Sequence, residues 1–378
     1  MDVQGYAEPG RAVVKIAFRT DASREIGTGH VMRCLTLADA LRAKGAQCQF
    51  ICRPHQGNLI STIRTRGYDV SELPPMALGG SLASEMHMFQ LAHAPWLGCD
   101  WTQDSEQTLA AVRTIKPDLL VIDHYAIDSR WEEVLRPHVR KLMVIDDLAD
   151  RRHLCDFLLD QNWFGDDMSR RYQCMVSDHC VSMLGPGYAL LKPEYTTLRN
   201  LMPPRDGEVR RVLVFMGGSD PTNETGKVID ALAQPGLEHL VVDVVLGVNH
   251  PDPRGIASKA EARLATNLHS GLSSLAGWMA RADVMISAGG STSWERMCLG
   301  LPAIVISIAE NQTATSKAMM EAGYIDFLGD RSDVEVQMIA AAVRRCLADS
   351  SRLRRMSRTS QDLVSGSGAE RVCEIVLG

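Results

Sequence analysis

The chain has 378 residues, 45% of them hydrophobic and 23% charged, with a formal net charge of −6. That length exceeds one ordinary core and predicts two domains, and the acidic balance argues against a nucleic-acid partner. No apolar run reaches the length of a membrane span, residues 1–12 lack the apolar core of a signal peptide, and the ten cysteines include no Cys-x-x-Cys pair. The expectation is a cytoplasmic protein with reduced thiols, no membrane partner and no structural zinc.

Short apolar runs alternate with helical patterns along the chain. Strands are predicted at 13–19 (VVKIAFR), 48–52, 118–123 (DLLVID), 141–146 (KLMVID), 157–160, 181–184, 211–216 (RVLVFM), 240–246, 283–287 and 302–307 (PAIVIS). Continuous apolar strands, each followed by a turn and a helix, are what parallel strands covered on both faces require. Residues 76–108 read as an insertion or lid. The stretch 199–210 (RNLMPPRDGEVR) breaks the pattern and reads as a linker. The predicted halves are 1–203 and 207–378, each a doubly wound α/β domain, with ligands in the cleft between them, beyond the carboxyl ends of the strands. Arg352, Arg354, Arg355 and Arg358 read as a solvated helix face, and Met216, Met279, Met285 and Met297 as core.

The first strand runs into Gly27-Thr28-Gly29-His30, with a helix predicted from about Val31 to Gly45. Glycines let backbone amides approach a ligand, and a helix start offers unpaired N–H groups and partial positive charge. An imidazole there can serve as a general base or be a surface side chain beside a cap. Arg19, Asp21, Gly27 and Gly29 stand with His30 as candidate substrate contacts. Asp123, His124 and Tyr125 follow a predicted strand and are placed to line a site. Asp146 and Asp147 follow the next one and suggest a metal only weakly, since a turn explains them as well.

In the second half, strands run into Gly217-Gly218-Ser219-Asp220-Pro221 and into Gly289-Gly290-Ser291-Thr292-Ser293-Trp294-Glu295. Both turns can hold a pyrophosphate through amides and hydroxyls. Neither is a P-loop or a dinucleotide fingerprint, which disfavours an NAD-dependent enzyme. Glu295 has two readings: a capping box with Thr292, or an acceptor for both hydroxyls of a ribose.

The segments FRTDASREIGTGHVMRCLTLADAL, LLVIDHYAID, VIDDLADRRHLCDFLLDQN, GPGYALLKPEY, VFMGGSDPTN and ISAGGSTSWERMCLGLPAIV occur in this order between Ala17 and Gln312. Together they resemble the UDP-2,4-diacetamido-2,4,6-trideoxy-β-L-altropyranose hydrolases of pseudaminic acid biosynthesis, which are similar to MurG-type glycosyltransferases. The resemblance implies a GT-B-like fold of two facing doubly wound domains. It also implies hydrolysis of a UDP-sugar to UDP and free sugar, without cofactor or metal. It places the catalytic base at His30, the pyrophosphate at Gly289, Gly290, Ser291 and Thr292, the ribose at Glu295, and the sugar-phosphate side at Asn311 and Gln312. Asp123 and Asp21 both remain open as the group that orients His30. A glycosyltransferase on the same scaffold, and a UDP-sugar sensor, are the competing functions. The oligomeric state is left open.

Overall fold

The computed structural model describes residues 13–75 and 91–378. Two all-parallel sheets form two layered halves. The first comprises β1 (Lys15–Thr20), β2 (Gln47–Cys52), β3 (Asp69–Glu72), β4 (Leu119–Asp123), β5 (Lys141–Ile145), β6 (Phe157–Asp160) and β7 (Val181–Leu184), in the order β3-β2-β1-β4-β5-β6-β7. The second comprises β8 (Arg211–Phe215), β9 (Val241–Leu246), β10 (Thr266–Ser270), β11 (Val284–Ala288), β12 (Ala303–Ser307) and β13 (Asp326–Asp330), in the order β10-β9-β8-β11-β12-β13. The predicted runs all appear, with bounds that differ by two residues at most. The sequence reading missed β3, β10 and β13, whose sequences DVSE, TNLHS and DFLGD are polar. Each is an edge strand that is only partly covered, so the apolar run that marks a central strand is not needed.

Each sheet reverses its strand order beside its first strand, between β1 and β4 and between β8 and β11. The turns after these four strands therefore flank the crevices where ligands of doubly wound sheets bind. The four methionines read as core are buried, at 1% exposure or less.

Three expectations need correction. Residues 76–90 lie outside the described residues, but 101–108 belong to no insertion. They open the helix Trp101–Ile115, a crossover between β3 and β4 that is capped by Asp100 and buries Val112 against the sheet. The stretch 199–210 is only partly a linker, because the helix Pro193–Leu201 runs into it. Arg205, further along, donates to the carbonyls of Met279, Ala282 and Leu299 and so fastens the connection to the second half.

The boundaries 1–203 and 207–378 also miss an exchange of helices. Tyr195 of Pro193–Leu201 packs in a core with Met285 and Trp294 of the second half. In return the C-terminal helix Gly368–Leu377 packs Ala369, Val372 and Cys373 against Phe18, Leu35 and Cys48 of the first half.

A buried charge cluster fixes the helix Trp101–Ile115 to the first sheet. Asp104 accepts from Arg19 Nη2 at 2.8 Å, Arg53 Nη2 at 2.7 Å and the Trp131 indole at 3.0 Å, and all four side chains are essentially inaccessible. Burial works against the Asp104 charge, but Arg19 and Arg53 hold its carboxyl below the ordinary range. Removing one partner from such a cluster strands the others' charge without solvent. Asp104→Asn should lower the unfolding free energy by about 3–5 kcal/mol, read by urea denaturation at pH 7. Because the folded-state carboxyl titrates below its ordinary value, the deficit should be full above that value and shrink as pH falls through the folded one. An unchanged midpoint at pH 7 would refute the assignment.

Candidate active site

A cavity of about 740 Å³ opens between the two halves, walled by the turns after β1, β4, β5, β8, β11 and β12. On the first half, the helix Gly29–Ala43 points its N-terminus at this space. Its cap residue Thr28 makes no side-chain cap and its first turn holds no acid, so its leading N–H groups stay available. The loop before it is folded tightly: Ser23 bridges to Gly27, and Ser23 Oγ accepts from the amides of Glu25 and Ile26. Gly27 sits at φ 79°, a left-handed conformation that glycine adopts without strain.

His30 is the second residue of the helix. Strand β1 lies beside β4, with Thr20 paired to Asp123, so the start of the helix stands next to the end of β4. His30 Nδ1 donates to Asp123 Oδ1 at 2.6 Å. One helical turn on, Arg33 grips the same carboxylate through Nε at 2.6 Å and Nη2 at 2.7 Å. Burial opposes the Asp123 charge, yet Arg33 and His30 hold its carboxyl far below the ordinary range. An ionised carboxylate can only accept, so Nδ1 carries a proton and Nε2 keeps its lone pair when the ring is neutral. Of the two aspartates left open by the sequence, Asp123 is thus the one that orients the imidazole.

Arg33 extends the network. Its Nη1 donates to Asp147 Oδ2 at 2.6 Å, the Tyr125 hydroxyl donates to the same oxygen at 2.6 Å, and Asn162 donates to Oδ1 at 2.9 Å. Burial and the Asp147 carboxylate push the Tyr125 phenol well above its usual value, so it stays protonated. His93 and Trp96 complete this wall, and burial pushes the His93 imidazole down.

The opposite wall is rich in glycine, with Phe215, Ile308 and Glu310 beside the turns. Gly217 and Gly218 follow β8, Gly289, Gly290, Ser291 and Thr292 follow β11, and Asn311 and Gln312 begin the helix Glu310–Glu321 after β12. Gln312 Oε1 accepts from the amides of Gly289 at 3.2 Å and Ile308 at 3.1 Å, tying two of these turns together. A Cβ on Gly289 would lie 2.7 Å from Ser316 Oγ, so a larger residue would displace the turn. The walls come close where the glycine turns meet: a Cβ on Gly218 would stand 3.4 Å from Thr28 Oγ1.

Eleven of the sequence candidates line this cavity: Gly29, His30, Tyr125, Gly217, Gly218, Gly289, Gly290, Ser291, Thr292, Asn311 and Gln312. Asp123 reaches it through His30. Arg19, Asp21 and His124 do not line it, which corrects their reading as substrate contacts. Their charges are already engaged: Asp21 lies 2.6 Å from Arg19 Nη1 and 3.4 Å from His124 Nε2, and all three residues are 3% exposed or less. Gly27 and Ser219 also lie off the wall, Gly27 shaping the loop before the helix.

Asp146 and Asp147 diverge. The first is buried 2.9 Å from Arg151, the second faces the cavity, and no group of His, Cys, Asp or Glu among the described residues is arranged to hold a metal. The sequence reading missed Arg33 and Asn162, and it noted His93 and Trp96 only within the clustered His and Trp residues of the expected insertion or lid. Arg33 carried a signal in its i+3 spacing from His30 on one helix face.

Glu295 fits neither of its readings simply. The helix Thr292–Cys298 has Ser291 as cap residue with no side-chain cap bond, so the expected capping box is not formed. The carboxyl is half-buried, outside the cavity wall, and faces the Tyr195 hydroxyl.

Among known proteins, no family model matches the chain. It is 26% identical over 276 residues to the spore coat polysaccharide biosynthesis protein SpsG of Bacillus subtilis, covering 72% of this chain and 80% of that protein. It is 22% identical over 314 residues to the UDP-2,4-diacetamido-2,4,6-trideoxy-beta-L-altropyranose hydrolase of Campylobacter jejuni, covering 82% and 98%. An uncharacterized protein of Methanocaldococcus jannaschii is 24% identical over 298 residues, 78% of this chain, and there the match spans about half of the relative, 55% of its length. Acinetobacter baumannii MurG superposes over 96% of this chain and 99% of its own, with a TM-score of 0.65 and 11% identity. The fold is GT-B-like. Medicago truncatula UGT71G1, solved with UDP-glucose, superposes over 97% and 99%, with a TM-score of 0.64 and 11% identity.

Burial pushes the Glu295 carboxyl up to about 7 from an ordinary value of 4.5, against the pull of Tyr195. The folded protein therefore holds this proton where the unfolded chain has lost it, and the associated stability falls as pH rises from 4.5 to 7. Glu295→Gln should melt above wild type at pH 8 and lose that advantage at pH 4. Parallel melting curves across pH would refute this. UDP titration of the same variant tests the ribose reading: a lost charge-assisted bond should weaken binding by ~10–100-fold.

Proposed function

We propose that this chain hydrolyses a UDP-linked sugar of the 2,4-diacetamido-2,4,6-trideoxy type, releasing UDP and the free sugar as one step of pseudaminic acid biosynthesis. The observation that carries the reading is the His30–Asp123 pair, joined through Nδ1, on a cavity whose far wall carries the glycine turns and hydroxyls. The Campylobacter jejuni relative, named for that hydrolysis, supports the choice of reaction.

In this mechanism His30 Nε2 takes a proton from a water as its oxygen bonds to the anomeric carbon. The bond from that carbon to the β-phosphate oxygen breaks, and its electron pair leaves with UDP. Asp123 holds the ring in the productive tautomer and balances the imidazolium that forms, as carboxylates do in hydrolytic triads. Arg33 keeps that carboxylate ionised and fixed. The Gly290 amide, with the hydroxyls of Ser291 and Thr292, faces the departing diphosphate and stabilises its growing charge, while the Gly289 amide is held by Gln312. Glu295, one turn further along the same helix, lies off the cavity wall and takes no part in these steps, and the UDP titration of Glu295→Gln tests it as a ribose acceptor. A glycosyltransferase would use the same groups with an acceptor hydroxyl in place of water.

His30→Ala should lower turnover by ~10²–10⁴ while leaving UDP affinity nearly unchanged, because a positioned base acts on the reacting water and not on the nucleotide. Near-normal turnover in a folded variant would remove His30 from the mechanism. Run in H₂¹⁸O without any acceptor, the reaction should place the label on the sugar, with inverted anomeric configuration, and none on UDP. Label in the phosphate would mean attack at phosphorus, and UDP release only on adding an acceptor would mean glycosyl transfer. Activity should persist in EDTA, since amides and hydroxyls make up the diphosphate wall. Rescue of a chelated enzyme by Mg²⁺ would overturn that point.

A further inference from the structure

The two walls of the cavity differ in chemistry. The second half offers chiefly glycines, hydroxyls and amides, whereas the first sets the rings of His93, Trp96 and Tyr125 beside charged and amide side chains such as Arg33, Asp147 and Asn162. Trp96 and Tyr125 stack with centroids 5.6 Å apart at 21°, and the Trp96 ring lies 6.2 Å from His30 at 77° to it. Tyr125 lies closer still, 4.5 Å from His30. If UDP lies along the second half, as the reading above has it, a sugar whose anomeric carbon is within reach of His30 has these rings among its neighbours, with Asp147 and Asn162 beside them.

We propose that Trp96, stacked on Tyr125, is the specificity-determining side chain of the sugar subsite, selecting nucleotide sugars that turn a C–H face or a methyl group toward it over those that turn a hydroxymethyl. This rests on the reading of the cavity as a UDP-sugar site and adds what that site selects. A hydroxyl pressed on aromatic faces gives up water and gains no acceptor in return, whereas a methyl loses nothing.

The turn that carries Trp96 is built to hold it still. The 3-10 turn Ala94–Leu97 is closed by the Trp96 amide donating to the His93 carbonyl at 2.9 Å and the Gly98 amide donating to the Pro95 carbonyl at 3.2 Å. Leu97, next in sequence, is 2% exposed in the core of the first half. Gly98 sits at φ 70°, and a Cβ there would lie 2.7 Å from His55 Cε1, so any other residue would strain the backbone and displace His55. Asp100 then caps the following helix through the Gln103 amide at 2.9 Å. From the other side, Tyr125 is fastened by its bond to Asp147. An aromatic side chain so fixed loses little entropy on binding, which suits discrimination. His93, 4.5 Å from Trp96 and 5.2 Å from Tyr125, adds one polar edge able to meet a single amide of the ligand. This turn lies outside the sequence segments that carry the family resemblance.

The test is calorimetric, in a His30→Asn background so that bound nucleotide sugar persists. The ligands are UDP, UDP-N-acetylglucosamine and its 6-deoxy counterpart, a UDP-2-acetamido-2,6-dideoxyhexose. With Trp96 in place the 6-deoxy sugar should bind ~10-fold or more tighter than its 6-hydroxy partner, the usual worth of one apolar group in a fitted pocket. Trp96→Ala should lose ~10–100-fold on the 6-deoxy sugar and bring the ratio near one, with UDP changed by less than ~3-fold. Trp96→Phe should keep most of the preference. Should the alanine variant fail to fold, Trp96→His, which keeps a ring but makes it polar, must show the same collapse. An unchanged ratio in a folded variant, an equal loss on all three ligands, or no preference with Trp96 present would each overturn the proposal. Failure of the hydrolase reading shows separately, as wild-type protein that binds these ligands but releases no UDP.

Discussion

A parallel strand can be joined to its neighbour only by a crossover over one face of the sheet, and where successive crossovers change faces no helix covers the carboxyl ends between them. This chain meets that constraint twice, beside β1 and beside β8. The groups discussed above follow from it. The helix bearing His30 starts beside the strand ending in Asp123, and the Gly217-Gly218 turn lies beside the Gly289-Gly290 turn. Two such crevices facing each other place glycine turns and hydroxyls on one wall and a carboxylate-supported imidazole at a helix N-terminus on the other.

Within that frame, two buried ion clusters divide the labour. Arg19, Asp21, Arg53 and Asp104 lie within the first half, where they bind a crossover helix to the sheet and leave no charge for a ligand. Arg33, Asp123 and Asp147 lie at the cavity, where they fix the His30 imidazole through Asp123 and the Tyr125 hydroxyl through Asp147. Paired charges of this kind are costly to desolvate and contribute little net stability against an apolar replacement. Their retention at the cavity is intelligible as orientation of His30 and Tyr125, since a side chain held from several sides has one rotamer to adopt.

The exchange of helices between the halves bears on the same geometry. Pro193–Leu201 packs on the second half and Gly368–Leu377 returns to the first, so the chain crosses the cleft twice, and Arg205 clamps one of the crossings to backbone carbonyls. A cleft spanned by two strands of chain has its walls constrained in relative position more tightly than one with a single tether. That matters for chemistry in which a base on one wall must meet a leaving group held on the other.

The alternation of apolar runs with helical segments, the glycine turns after β1, β8 and β11, and the histidine on the first of them were all legible in the sequence, because continuous burial and left-handed or closely approached backbone each restrict residue type locally. The polar edge strands β3, β10 and β13 were not, since partial cover imposes no such pattern. Nor could the sequence separate Asp123 from Asp21, both beyond strand ends: one meets His30 from 93 positions away, the other is taken up by Arg19. The fate of Glu295, the cavity face of Trp96 and the destination of the C-terminal helix were likewise decided only in three dimensions. Periodicity records that a face will be covered, whereas the identity of what covers it depends on segments that only the folded chain brings together.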